Sequence, residues 1–477
     1  MIEIKIERLK TVLLSFLMIA SVVQIGIHWT LQAQGFPFRF ITSIFNTDDK
    51  FVSMDVNTIE NRYFVPEAII VSIEPTTPRW KLDQSDSYFK SIWKDIKENY
   101  LPAMIKQKPS KIFSKDQWSS LTSVSCIRID FTANWPTNII YWLSNMDSRD
   151  LSGFDSVKSI AILPQADVNE TVNTVYIYDE NQVYQYQVNI RKNFLPKNFY
   201  KKIADELRDQ RKPGLSILSA VTNYESPDDI LVSFNKGQGS DYATLKAEIP
   251  PSISLNISNI ESIQDKILLN QKNSLMAKYN ESTNEAIFTD TENLYKLFND
   301  GVLEYKYLPA NSAQVGDPSA AFGQAVSFIE RRRNLLGNVE LVLTDFNKVD
   351  NYYEMQFGYK YDGVHIYFLG ASLNDRLTSP LKIKANAERV LECQWVIKSF
   401  SEIGKLKTYS LYFGDLINDQ ILSLYPEILE RERKYFERIE PGYVFGLNDQ
   451  GDLSIKPEWI ISTDLKDYFI PLLEEED

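Results

Sequence analysis

The chain has 477 residues, 44% hydrophobic and 24% charged, an ordinary globular balance that excludes a disordered chain, a collagen and a polytopic membrane protein. Lys and Arg number 51 against 64 Asp and Glu, so the net charge is −13 and nucleic acid is a poor partner. Cys126, Cys393, His28 and His365 are the only thiols and imidazoles, which removes most metal and nucleophile chemistry.

The first element in chain order is a membrane anchor. Lys5, Arg8 and Lys10 precede Thr11 to Trp29, a run without Asp, Glu, Lys or Arg. As a helix this run is about 28 Å long, close to the thickness of a bilayer core. Arg39 is the only basic residue soon after it, so the positive-inside rule puts residues 1–10 in the cytoplasm and the bulk of the chain outside. The expected localisation is the cell membrane, with a single pass. A cleaved signal peptide is the competing reading, but the apolar run is long for one and TLQAQGF offers no clean small-x-small site. Ser21, Gln24 and His28 recur at i, i+3 and i+7. They form a candidate transmembrane contact face, because polar groups in hydrocarbon favour another helix that can hydrogen-bond them.

Residues 31–50 read as a stalk, followed by alternating helix and strand signals. Phe89, Trp93, Ile96 and Tyr100 define a buried helical stripe over 86–100, with Pro102 as its stop. Strands near 174–178 and 183–190 flank Asp179-Glu180-Asn181-Gln182, and a helix follows over 197–210. Leu294–Phe298 and Val302–Tyr307 flank Asn299-Asp300-Gly301, a hairpin turn in which Gly supplies positive φ. The next helix has Asp317 as N-cap, Pro318 as first residue and Gly337 as C-cap. Its apolar stripe is Phe322, Val326, Ile329 and Leu336, with Arg331, Arg332 and Arg333 in the last turns.

Three strands, about 339–345, 352–361 and 364–369, complete a unit with one helix over an antiparallel sheet. A looser copy of this order is expected at the end of the chain: strands over 388–411, helix over 413–438, and strands 442–447 and 453–461 around Asn448-Asp449-Gln450-Gly451. The fold class is therefore α+β. The expected organisation is a cytoplasmic tail 1–10, a transmembrane helix 11–29, and three extracytoplasmic domains. These are an N-terminal α/β domain 30–240, a middle α+β domain 241–378 and a C-terminal α+β domain 379–477, the last two related.

No catalytic, cofactor or metal site is expected. His365 lies in an alternating strand with Tyr367 on the same face, and neither a nucleophile nor an orienting acid can be named for it. Cys126 and Cys393 sit in apolar runs and read as two buried free thiols. Asp345 to Asp350 lacks the Gly and Glu of a calcium loop, and Gly316 to Gly323 lacks the Lys of a P-loop. The Tyr-rich strands are a ligand platform or a protein interface or, more simply, an outer sheet face.

FNDGVLEYKY at 298–307, the helix 318–336, FGYKYDGVHIYF at 357–368 and IEPGYVFGLNDQGDLSIKPEWIIS at 439–462, together with the single anchor, resemble the YycH family. The family consists of membrane-anchored regulators of the YycF/YycG (WalR/WalK) two-component system of low-GC Gram-positive bacteria. The last segment also resembles the related YycI family. The resemblance implies a non-enzymatic protein that binds a sensor histidine kinase together with a YycI-like anchored protein and modulates signalling that controls cell-wall metabolism. A second copy of the chain is a further candidate partner. The alternatives are an anchored cell-wall hydrolase with a carboxylate pair, and an anchored chaperone or inhibitor of secreted proteins.

Overall fold

The computed structural model describes residues 55–472, except 74–77, 147–152, 165–171, 191–196, 210–211, 213, 227–229, 234–240, 256–258, 269–275, 281, 284, 290–291, 310–314, 369–378, 409–411, 431–434 and 446–453. The expected anchor at 11–29 lies outside these residues. No helix among the described residues is long and apolar enough to cross a membrane. What is described is an α+β protein of antiparallel sheets and covering helices.

The chain enters through α1 (Val56–Tyr63), whose N-cap Asp55 accepts a hydrogen bond from the Asn57 N–H. β1 (Ala68–Ser72), β2 (Trp80–Leu82) and α2 (Ser87–Asp95) follow. β3 (Lys111–Ser114), β4 (Cys126–Pro136) and α3 (Thr137–Leu143) come next. β5 (Ser156–Ile162), β6 (Val172–Tyr178), β7 (Gln182–Asn189) and α4 (Lys197–Asp209) complete the N-terminal layer. Its sheet runs β2-β1-β4-β5-β6-β7-β3, antiparallel throughout. The β6–β7 turn closes as expected, with Asp179 Oδ1 accepting from the Asn181 and Gln182 N–H groups at 2.9 and 2.7 Å.

Pro102 does not stop the helix that begins at Ser87. The turn Ile96–Tyr100 widens into a π-helix, with the Leu101 N–H bonding to the Ile96 carbonyl, and α-helix resumes over Leu101–Ile105. The wider turn places Pro102 at the start of a new segment, where a missing N–H costs little. Phe89, Trp93, Ile96 and Tyr100 are buried as their spacing predicts.

β8 (Leu215–Ile217) and β9 (Leu231–Ser233) pair with each other. β10 (Asp241–Glu248) is followed by β11 (Met276–Asn280), β12 (Glu285–Thr289), β13 (Asn293–Phe298) and β14 (Val302–Tyr307). Then come α5 (Pro318–Glu330), β15 (Glu340–Val349), β16 (Tyr352–Tyr361), β17 (Val364–Phe368), β18 (Leu381–Ala385), β19 (Val390–Val396) and β20 (Ser399–Lys407). Short helical turns between Phe413 and Glu430 lead to β21 (Phe436–Phe445), β22 (Ser454–Ile455), β23 (Pro457–Thr463) and β24 (Asp467–Pro471).

A 12-stranded sheet runs β11-β12-β13-β14-β19-β18-β16-β17-β21-β23-β24, with β15 also on β16, and β20-β10-β22 form a separate small sheet. Strands from either side of residue 378 thus hydrogen-bond directly, β14 with β19 and β16 with β18. The end of the chain has the expected strand–helix–strand order. β21, however, starts at Phe436, inside the predicted helical stretch, and β24 adds a strand.

In β16, Tyr353, Met355, Phe357 and Tyr359 are buried on one face. Their face of the sheet is covered by α5. Its N-cap Asp317 accepts from the Ser319 N–H at 2.8 Å. The helix ends at Glu330, earlier than expected, because Arg332 turns inward. Arg332 is 4% exposed, donates to the Ile267 and Phe328 carbonyls at 2.9 and 3.1 Å, and stacks over the Phe328 ring. This buried guanidinium is held by carbonyls and a ring face.

α5 also joins the two layers. Phe322 packs edge-on against Tyr63, Trp135 and Trp142 of the N-terminal layer, with ring centroids 6.3, 5.5 and 6.4 Å away. Phe322→Ala removes that shared ring and should cost about 3–5 kcal/mol, read as a lower urea midpoint. An unchanged midpoint would show that α5 is not the wedge between the layers.

Candidate functional site

The functional candidate is the polar joint beside this wedge. Segment 62–67 leaves α1 and enters β1 while touching the other layer at both ends. At its start, Glu330 of α5 accepts from Arg62 and from Tyr63 Oη at 2.6 Å, and Arg333 reaches the same carboxylate at 3.0 Å. Burial and the adjoining Glu330 carboxylate push the Tyr63 hydroxyl well above its ordinary value, so it remains a donor.

At the segment's end, Glu67 Oε2 accepts from Lys360 of β16, lies 3.2 Å from His365 Nε2 of β17, and accepts from Thr132 Oγ1 of β4 at 3.0 Å. Lys360 and His365 are register partners across β16 and β17, so they reach Glu67 from one face. Burial raises the Glu67 pKa. The hydrogen bond and charge of His365, then Lys360 and Lys81, outweigh it and hold the carboxyl well below its ordinary range. Lys360 is 4% exposed, so its ammonium is buried against this carboxylate.

Glu67 and Lys360 line two adjoining cavities. The smaller, about 260 Å³, reaches Arg333 and Glu340. The larger, about 1800 Å³, is a groove between the outer face of β1, β2 and β4 and the strands β17, β21 and β23. On its far wall Tyr367 donates to Glu440, and Arg438 stacks over the Tyr367 ring at 5.3 Å. The groove exceeds the usual volume range of small-molecule pockets.

Of the residues singled out from sequence, Ser21, Gln24 and His28 lie outside the described residues. Cys126 and Cys393 are buried, and neither is in a disulfide among the described residues. Burial pushes the Cys393 thiol up, which keeps it protonated and unreactive. His365, expected as an ordinary strand residue, belongs to the joint. Glu67, Lys360 and Glu330 carried no sequence signal. Glu67 is separated from Lys360 by 293 positions and from His365 by 298, so no spacing rule relates them. Among the described residues, no group of three or more His, Cys, Asp and Glu is placed to hold a metal ion.

The geometry defines a layered antiparallel α+β protein whose most distinctive polar feature is an inter-layer joint. No protein-family model matches the chain, and no curated protein matches it. Among solved structures, YycH from Bacillus subtilis is similar with a TM-score of 0.54 and 12% identity, covering 87% of this chain and 97% of that one. The chain has a YycH-like fold. A second structure, an uncharacterized protein from Eubacterium rectale, overlaps at a TM-score of 0.32 and 11% identity over 57% of this chain and 94% of that one, too little to define a common fold.

Folding depresses the Glu67 pKa. Its contribution is therefore full above the ordinary carboxylate value of about 4.5 and is lost as pH falls through the folded value. Glu67→Gln leaves Lys360 buried without an anion and should cost about 3 kcal/mol at neutral pH. It should also flatten the acid limb of stability against pH in urea titrations. Equal acid limbs in both proteins would remove Glu67 from the joint.

Proposed function

We propose that the protein is a non-enzymatic, membrane-anchored regulator. In this reading it binds a YycG/WalK-like sensor histidine kinase together with a YycI-like anchored protein and modulates two-component signalling that controls cell-wall metabolism. The YycH-like fold over 87% of the chain carries this reading. The basic flank and the apolar run 11–29 support a single pass with the bulk of the chain outside. Ser21, Gln24 and His28 are the proposed contact face within the bilayer.

The joint supports a route from anchor to outer surface. The described fold begins at α1, whose end is fastened to the far layer through Glu330, and the segment that follows it through Lys360 and His365. A displacement of the anchor would then reach both layers together. Such a regulator biases a two-state kinase by its differential affinity for the two states and needs no chemistry of its own.

Full-length tagged protein, extracted in mild detergent at native level, should bring down a sensor kinase, and Gln24→Leu should lower the amount recovered. Recovery of no kinase by the unaltered protein would defeat the proposal. Undiminished recovery with Gln24→Leu would move the contact from the bilayer to the outer layers.

A further inference from the structure

We propose that the cavity of about 260 Å³ beside the joint binds a small zwitterion of the free α-amino-acid class. This goes beyond the regulatory reading and does not depend on it. The cavity is smaller than a typical drug-sized pocket and suits a molecule of a few heavy atoms.

Its lining holds both signs of charge, each with unused bonding capacity. Lys360 is nine-tenths buried. Its ammonium carries three donors, and Glu67 Oε2 is its one acceptor among the described residues. A buried ammonium with open donors is costly, and an α-carboxylate would fill them. Arg333 lines the same cavity and uses one N–H on Glu330, leaving further donors. On the acceptor side, the bonds to Glu67 all fall on Oε2, so Oε1 has no partner among the described residues. Glu340 faces Lys360 across the β15–β16 ladder and forms no ion pair among the described residues. An α-ammonium fits between these two carboxylates.

The mixture selects the ligand class. A simple anion would meet Glu67 and Glu340, and a simple cation would meet Lys360 and Arg333. A molecule carrying both charges a few bonds apart satisfies both sets. Leu341 and Val342 supply an apolar wall for a side chain. Occupation would also tie α1, β15 and β16 together through one small molecule.

Isothermal titration of the full chain in detergent tests this, with the common free L-amino acids added singly, and with acetate and methylammonium as separate controls. At least one amino acid should give a saturable heat, and neither control should. Glu340→Gln removes an exposed acceptor outside the Glu67 cluster and should weaken that binding at least about tenfold. Lys360→Met, checked by its melting curve, should abolish it. The proposal is overturned if no amino acid binds, which would leave the cavity to ordered water. It is overturned equally if acetate binds as tightly as the best amino acid, or if Glu340→Gln binds unchanged.

Discussion

Helix α5 has to be covered on more than one side, and the architecture follows from that. It reads PSAAFGQAVSFIE, with Ala321, Phe322, Ala325, Val326, Ser327 and Ile329 buried, so it has little polar surface to turn toward water. The large sheet covers one flank through β16, β18 and β19. The other flank needs a second cover, which α1, Trp135 of β4 and α3 provide around Phe322. Separating the layers would expose that ring and the aromatic groups around it, a loss of several kcal/mol against a marginal total stability. The charged joint forms at the edge of this contact. Lys360 is buried there, and Glu67 and Glu330 half-buried, because the apolar wedge has brought the layers together. Their pairing fixes how the layers sit more than it drives them together.

The local parts of this account were legible in the sequence. Asn299-Asp300-Gly301 marks its hairpin because Gly301 has a φ of 85° and the turn chemistry is local. Asp317 and Pro318 mark the start of α5 for the same reason. The alternation of β16 shows its core face. What it conceals is that the second face closes as well: Glu354 and Gln356 are half-buried, while Gly358 and Lys360 are buried. Period-2 reasoning assigns Lys360 to solvent, and only contact with the N-terminal layer changes that. The end of α5 was misread because Leu336 and Gly337 look like a last turn and a cap. The inward fold of Arg332 depends on Tyr295 and Ile267, which lie far from it in sequence. β1 reads AIIVS, an apolar run without a period, and is buried at every position, so pattern alone does not separate it from a helix segment.

The opposite face of the large sheet is different in kind. Along it Lys384 pairs with Glu392 and Lys382 with Glu354, both at 2.7 Å, so this part of the face is held by half-buried ion pairs. These Lys–Glu pairs cancel in the net charge, while the joint holds Lys360, a charge short of water. His365, the one histidine among the described residues, serves the joint.

The entry segment 56–67 is locked into the far layer and opens only with it. Native-state hydrogen exchange measures this directly. The account predicts that the amides of α1 and of residues 62–67 open with the same free energy as those of β16. Rapid exchange of α1, like that of a fraying terminus, while β16 stays protected would contradict it.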